Sequence, residues 1–146
     1  MDKKGQAAME FLMTYGWAIL AAVIAVGVLA YYGVFSPDRF VSASTVVSTP
    51  FSAIGGNIST AAVLIEIRND GGEALNITGT TVTGCGTNNS VMTVSASALQ
   101  AINVVCSSSL RAGDTFRGDI TVNYRKLGSG STVTLSSTGK ITGKVA

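Results

Sequence analysis

No charged side chain occurs from Phe11 to Pro37, and the residues between them are almost all apolar or small. The run is roughly 27 residues long, where about 20 suffice to cross a bilayer as a helix. It predicts one long hydrophobic α-helix. Ser36-Pro37 is its expected end, because proline disfavours the α conformation in the residue before it. From Arg39 onward the hydrophobic period changes to two. Val63, Ile65 and Ile67 alternate with Leu64, Glu66 and Arg68, and Asn69-Asp70-Gly71-Gly72 supplies a turn. Leu75 and Ile77 open another strand, and Thr80 to Thr83 resume it beyond Gly79 in the opposite phase. That phase change predicts a β-bulge at Gly79. Ile120, Val122 and Tyr124 mark a further strand, Val133 with Leu135 the next, and Ile141 to Val145 a last short one after Gly139. Seven or eight short strands with regular turns predict an immunoglobulin-like sandwich. The fold class expected is therefore α+β, a long N-terminal hydrophobic helix followed by an all-β sandwich over 37–146.

Composition narrows the function. Only 12% of the 146 residues are charged, about half the usual share, which argues against a disordered chain. The net charge is +2, with no basic stripe to track a phosphate backbone, so nucleic acid is not expected as a partner. Histidine is absent, which removes the commonest general base and the commonest metal ligand. The carboxylates are scattered, and no glycine-rich phosphate loop precedes a helix. No catalytic site, metal or other cofactor is expected. What remains is a structural subunit that polymerises, or an anchored surface protein whose β-domain binds a partner.

Three readings compete for the first 36 residues. A secretory signal peptide needs an apolar region of about 7–15 residues and a small-residue cleavage site after it. This run is longer, and Tyr31-Tyr32 and Phe35 stand where small residues belong. A plain signal anchor would keep Lys3 and Lys4 in the cytoplasm. The third reading is a precursor cut on the cytoplasmic side of the apolar run. The segment Lys3-Lys4-Gly5-Gln6-Ala7-Ala8-Met9-Glu10-Phe11-Leu12 favours it, because it resembles the class III signal peptide of archaeal type IV pilins. In that family a short basic leader ends in glycine, a glutamine opens the mature chain, and a glutamate follows four residues later. Gly5, Gln6 and Glu10 occupy those places. Met13-Thr14-Tyr15-Gly16-Trp17-Ala18-Ile19-Leu20 is similar to many members as well. The resemblance implies a leader over 1–5, removed by a prepilin peptidase between Gly5 and Gln6. It further implies a transmembrane and later filament-core helix over 6–36, and an extracellular β-domain. The implied partners are copies of the chain itself, the peptidase, the pilus assembly machinery, and the membrane before assembly. Stretches such as Arg117 to Tyr124 and Thr138 to Val145 look, more loosely, like archaeal pilin C-termini. A minor pilin lies between the two classes. Archaellin is a further relative, but its usual signal and glycine-led helix start are not matched here, so an adhesion-type pilus ranks above it.

Glu10 admits more than one role. It can stay hydrated at the headgroup level, or favour the first helical turn by about 0.3–1 kcal/mol. It can also pair with the free amine of Gln6 created by cleavage, on a neighbouring subunit in a filament or within its own chain in the membrane, since a carboxylate beside an apolar helix is costly unless partnered. Ala18, Ala22 and Ala25 recur on one side of the helix, Ala21 with Ala25 makes a second small pair, and Gly16, Gly27 and Ala30 add points of close approach. Small residues let apolar helices pack in lipid, although they are also frequent in any transmembrane helix.

Cys85 and Cys106 are the only cysteines. In an exported domain an even count favours a disulfide, here closing a loop of roughly 20 residues worth about 3 kcal/mol. In a cytosolic domain they would be buried thiols. Asn57-Ile58-Ser59, Asn76-Ile77-Thr78 and Asn88-Asn89-Ser90 are acceptor triplets for N-glycosylation, frequent by chance in a Ser/Thr-rich chain. The resemblance adds weight to them, because many pilins are glycosylated. Arg117-Gly118-Asp119 spells an adhesion tripeptide, but it leads into a strand and is assigned no function.

Overall fold

The computed structural model describes residues 3–36, 42–128, 130 and 132–146. The chain divides into two compact units, one holding the helix and the other the strands. Helix α1 spans Lys3–Tyr31 and buries none of its residues. At about 1.5 Å per residue its 29 residues extend about 43 Å. The helix stops short of the Ser36-Pro37 end that proline chemistry suggests. Gly33 adopts a left-handed φ of 70°, Val34 N–H donates to Leu29 O at 3.1 Å, and Gly33 N–H donates to Ala30 O at 3.0 Å. These bonds satisfy carbonyls that the last turn would otherwise leave open, and glycine makes the conformation cheap. The stop signal is therefore Gly33, while Pro37 lies outside the described residues.

Nine strands follow among the described residues: β1 Ser44–Val47, β2 Phe51–Ile58, β3 Ala62–Asn69, β4 Leu75–Val82, β5 Gly86–Asn88, β6 Met92–Val94, β7 Leu99–Val105, β8 Thr115–Lys126 and β9 Leu135–Lys144. They form the expected β-sandwich of two antiparallel sheets. One sheet has the order β1-β9-β8-β4-β5, with β6 also paired to β4, and the other has the order β2-β3-β7. The alternation in β3 puts Val63, Ile65 and Ile67 inside, where they meet Ile102 and Val104 of β7 and, from the larger sheet, Leu75, Ile77, Val82, Ile120, Val122 and Ile141. Each such side chain contributes about 1.5–3 kcal/mol when fully buried. Phe51 and Tyr124 close one part of the core edge to face, with ring centroids 5.3 Å apart.

The expected bulge is present. Ile77 pairs with Tyr124 and Gly79 with Asn123, so Thr78 is the extra residue. The buried set accordingly moves from Leu75 and Ile77 to Thr80 and Val82. The bulge also divides the outer edge of β4, which pairs with β6 before it and β5 after it. The end of the chain departs from the sequence pattern. In place of one strand at Val133 and Leu135 and another after Gly139, β9 runs unbroken through Gly139, and Val133 precedes it. Gly139 stands opposite Val47 of β1, so close that a Cβ there would run into the Val46 carbonyl. Glycine is at this position for close backbone approach, not for a turn.

The Asn69 to Gly72 turn carries the chain from one sheet to the other. Asn69 is fully buried, and every polar group it has is used. Its Nδ2 lies 2.7, 3.0 and 3.2 Å from the carbonyls of Glu73, Val94 and Ser95, and its Oδ1 accepts from Gly71 N–H at 3.0 Å. Its backbone N–H donates to Ala98 O, and its carbonyl accepts from Ser97 N–H. One amide thus ties the end of β3 to the β3–β4 and β6–β7 connections. Asn69→Ala would strand several buried carbonyls at a cost of about 2–3 kcal/mol, and Asn69→Asp, which turns a carboxylate toward them, should cost at least as much. Denaturant midpoints of the two variants measure this, and an unchanged midpoint for both would show that the amide does not hold the crossing.

Candidate functional site

Among the described residues the apolar unit carries one acidic group, Glu10, near one end of the helix. Gln6 and Glu10 sit one helical turn apart and share a face, and both are exposed. Among the described residues the Glu10 carboxylate has no partner, while its backbone carbonyl accepts a hydrogen bond from Thr14 Oγ1 at 2.8 Å. The helix continues through Gly5 to Lys3. Two lysines therefore occupy the positive end of the helix dipole, where a cation is disfavoured, and Glu10 lies beyond the first turn, where the dipole has faded. A helix that began at Gln6 would reverse both conditions, removing the lysines and bringing Glu10 to the end of the first turn.

The small residues occupy two sides of the helix. At about 100° per residue, Gly16, Gly27 and Ala30 fall within a sector of about 60°. Ala18, Ala21, Ala22 and Ala25 fall in a sector of about 100° centred roughly opposite. A Cβ built at Gly16 or Gly27 would meet nothing within 4 Å. Glycine inside a helix costs about 1 kcal/mol against alanine, and no packing within the helix unit calls for either. Two opposed faces with room for close approach suit a helix that is surrounded, whereas a simple pair needs one face. The eleven-residue spacing puts Gly16 and Gly27 within about 20° of one another, and Ala18, Ala21, Ala22 and Ala25 fall on the far side, a pattern visible in the sequence only when projected onto the helix.

The sandwich unit is stapled by a disulfide. Cys85 follows Gly84 in the three-residue loop joining β4 to β5, and Cys106 directly follows β7, so the Cys85–Cys106 bond links the two sheets. Ser107 reinforces the junction, donating from its N–H at 2.8 Å and its Oγ at 3.1 Å to Cys85 O. The backbone at Gly86 passes so near the Val105 carbonyl that a Cβ would collide with it. Disulfides persist where the environment is oxidising. The double substitution Cys85→Ser and Cys106→Ser should lower stability by about 3 kcal/mol. Intact mass should rise by two hydrogen atoms when the native protein is unfolded and reduced, and equal masses would mean free thiols.

The three acceptor asparagines differ in setting. Asn57 is exposed, whereas Asn76 and Asn88 are half-buried. Arg117, Gly118 and Asp119 lie within β8, paired to Thr142, Ile141 and Lys140 of β9, so the tripeptide is a stretch of flat strand and not a loop tip. The ion pairs of the sandwich are all at the surface. Arg68 Nε holds Asp70 Oδ1 at 2.7 Å and Lys126 Nζ holds Glu73 Oε1 at 2.6 Å. The hydrogen bond from Arg68 keeps the Asp70 carboxyl below its ordinary range. Such exposed pairs add little stability. A third, Lys140 Nζ with Asp119 Oδ1 at 3.9 Å, borders with Arg117 an open depression of about 460 Å³. Among the described residues no group of three or more Cys, Asp or Glu side chains is placed to hold a metal ion. No protein-family model matches the chain, and no characterised protein is similar to it at a significant level.

Proposed function

We propose that this chain is the precursor of a structural subunit, a major pilin, of an archaeal type IV pilus used for surface adhesion. The observation that carries the reading is Glu10, an unpartnered carboxylate at the edge of an apolar helix, four residues after Gln6 and five after Gly5. Cleavage between Gly5 and Gln6 by a prepilin peptidase removes Lys3 and Lys4 and creates a new amine at Gln6. Glu10 then sits where the amine of an adjacent copy can neutralise it, an interaction strengthened by the low-dielectric surroundings of packed helices. The precursor waits in the membrane, for which α1 is long and apolar enough. Assembly exchanges lipid for neighbouring helices on the glycine and alanine faces. The disulfide-bonded sandwich is carried to the cell surface and displayed on the outside of the filament, and no cofactor takes part.

The N-terminal residue of the mature chain tests the cleavage. Mass spectrometry of purified surface filaments should find chains starting at Gln6. An intact Lys3-Lys4 leader on a membrane monomer would reject the proposal in favour of an anchored surface protein, and cleavage without filaments would point to a minor or secretion-related pilin. Glu10→Ala should be inserted and cleaved normally yet give at least roughly tenfold fewer filaments, the equivalent of about 1.4 kcal/mol of lost pairing. Filament yield equal to the native protein would remove Glu10 from assembly.

A further inference from the structure

The three acceptor triplets are equivalent as sequence, and the fold makes them unequal. Asn57 lies in β2 opposite Leu64 of β3, which in turn stands opposite Asn103 of β7. All three face outward from the smaller sheet. Asn57 is exposed, and none of the described hydrogen bonds engages its side-chain amide. It stands between two shallow depressions of about 260 and 210 Å³, one bordered by Ser59, Ala62 and Asn103 and the other by Gly55 and Glu66, with Leu64 common to both. The depressions exist because Gly55 and Ala62 leave room on this face. Leu64 remains 43% exposed between them, an apolar surface on which the hydrophobic face of a sugar ring can settle.

Asn88 and Asn76 have no such freedom. Asn88 Nδ2 donates to Asn103 O at 2.6 Å, and its Oδ1 accepts from Ser90 N–H at 2.8 Å, so both ends of the amide are held. Asn76 lies in the middle of the larger sheet between Thr93 of β6 and Arg125 of β8. Its Oδ1 is sealed from solvent and has no hydrogen-bond partner among the described residues, so packing between its neighbours, not hydrogen bonding, limits access to the amide.

We infer that Asn57 is the N-glycosylation site of this protein and that Asn76 and Asn88 stay unmodified. The donor is an oligosaccharide carried on a lipid phosphate. Asn57 Nδ2 attacks the anomeric carbon of the first sugar, and the bond from that carbon to the phosphate oxygen breaks with its electron pair leaving on the lipid phosphate. The amide gives up one of its two protons to a base of the transferring enzyme, so the new C–N bond forms without any oxidant or reductant. The attached glycan lies over Leu64 and covers the outward face of the smaller sheet, whose Ile54, Leu99 and Val105 are also more than half exposed. The inference rests on the proposed function only in placing the sandwich outside the cell. It does not depend on whether the chain polymerises.

Trypsin separates the alternatives, because Arg39, Arg68 and Arg111 are successive basic residues. The peptide spanning 40–68 contains Asn57 alone, and the peptide spanning 69–111 contains both other triplets. Mass mapping of the full chain from the membranes or filaments of its own cells should find a hexose-containing increment on 40–68 and none on 69–111. Asn57→Gln and Ser59→Ala should each abolish the increment, and Ser59→Thr, which keeps the triplet, should retain it. An unmodified 40–68 peptide, or an increment on 69–111, would overturn the inference whether or not filaments are present. Conversely, a glycan on Asn57 of a chain that never forms filaments would uphold the inference while the filament proposal fails.

Discussion

A helix of 29 residues, apolar along most of its length and with none of its residues buried, presents a surface that is costly to leave in water. Leucine, isoleucine, valine and aromatic side chains along it are roughly half exposed or more, and each carries a free-energy cost in water that lipid or other helices remove. In a bilayer the backbone is satisfied internally, and the apolar surface faces hydrocarbon. Between copies of itself the same surface is met by packing, which opposed glycine and alanine faces permit on more than one side. The proposed switch between these two solvents needs a trigger at the helix edge. Glu10 supplies it in the proposal, because a carboxylate that is tolerable at a headgroup becomes costly in a helix bundle unless a new amine is there to meet it.

The sandwich solves the opposite problem. It completes its own core, with Val63, Ile65, Ile67, Ile102, Val104, Ile120 and Val122 at zero exposure, and asks nothing of a neighbour to fold. Its two sheets are joined at one place by the Cys85–Cys106 bond and at another by the buried Asn69 amide. These devices act differently. The disulfide limits the unfolded chain, whereas Asn69 satisfies carbonyls that the crossing between sheets would otherwise leave bare. The outward surface of the sandwich is dominated by Thr, Ser, Asn and a few solvated ion pairs, with an apolar strip on the smaller sheet that a glycan on Asn57 would shield.

By itself the sequence determined the helix, the β-rich domain, the bulge near Gly79 and the alternation of β3 and β8, because each is written in local hydrophobic period. It also held the leader-like pattern at Gly5, Gln6 and Glu10, since that pattern is a matter of spacing along one helix. The tertiary structure alone decided the rest. Gly139 reads as a turn residue, yet it lies inside a strand, because what demands a missing Cβ is the backbone of β1, more than ninety residues earlier in the chain. Asn69 reads as the first residue of a turn, yet it is a buried hub, because its acceptors come from two separate connections, one of them about 25 residues further along the chain. The three glycosylation triplets are alike in sequence, and only their cross-strand surroundings distinguish the exposed amide of Asn57 from Asn88, held by Asn103 and Ser90, and from Asn76, half-buried between Thr93 and Arg125. Local pattern reports the period of an element and the chemistry of its ends. Which face is open, and which groups are already spent, depends on residues far away in the chain that only folding brings near.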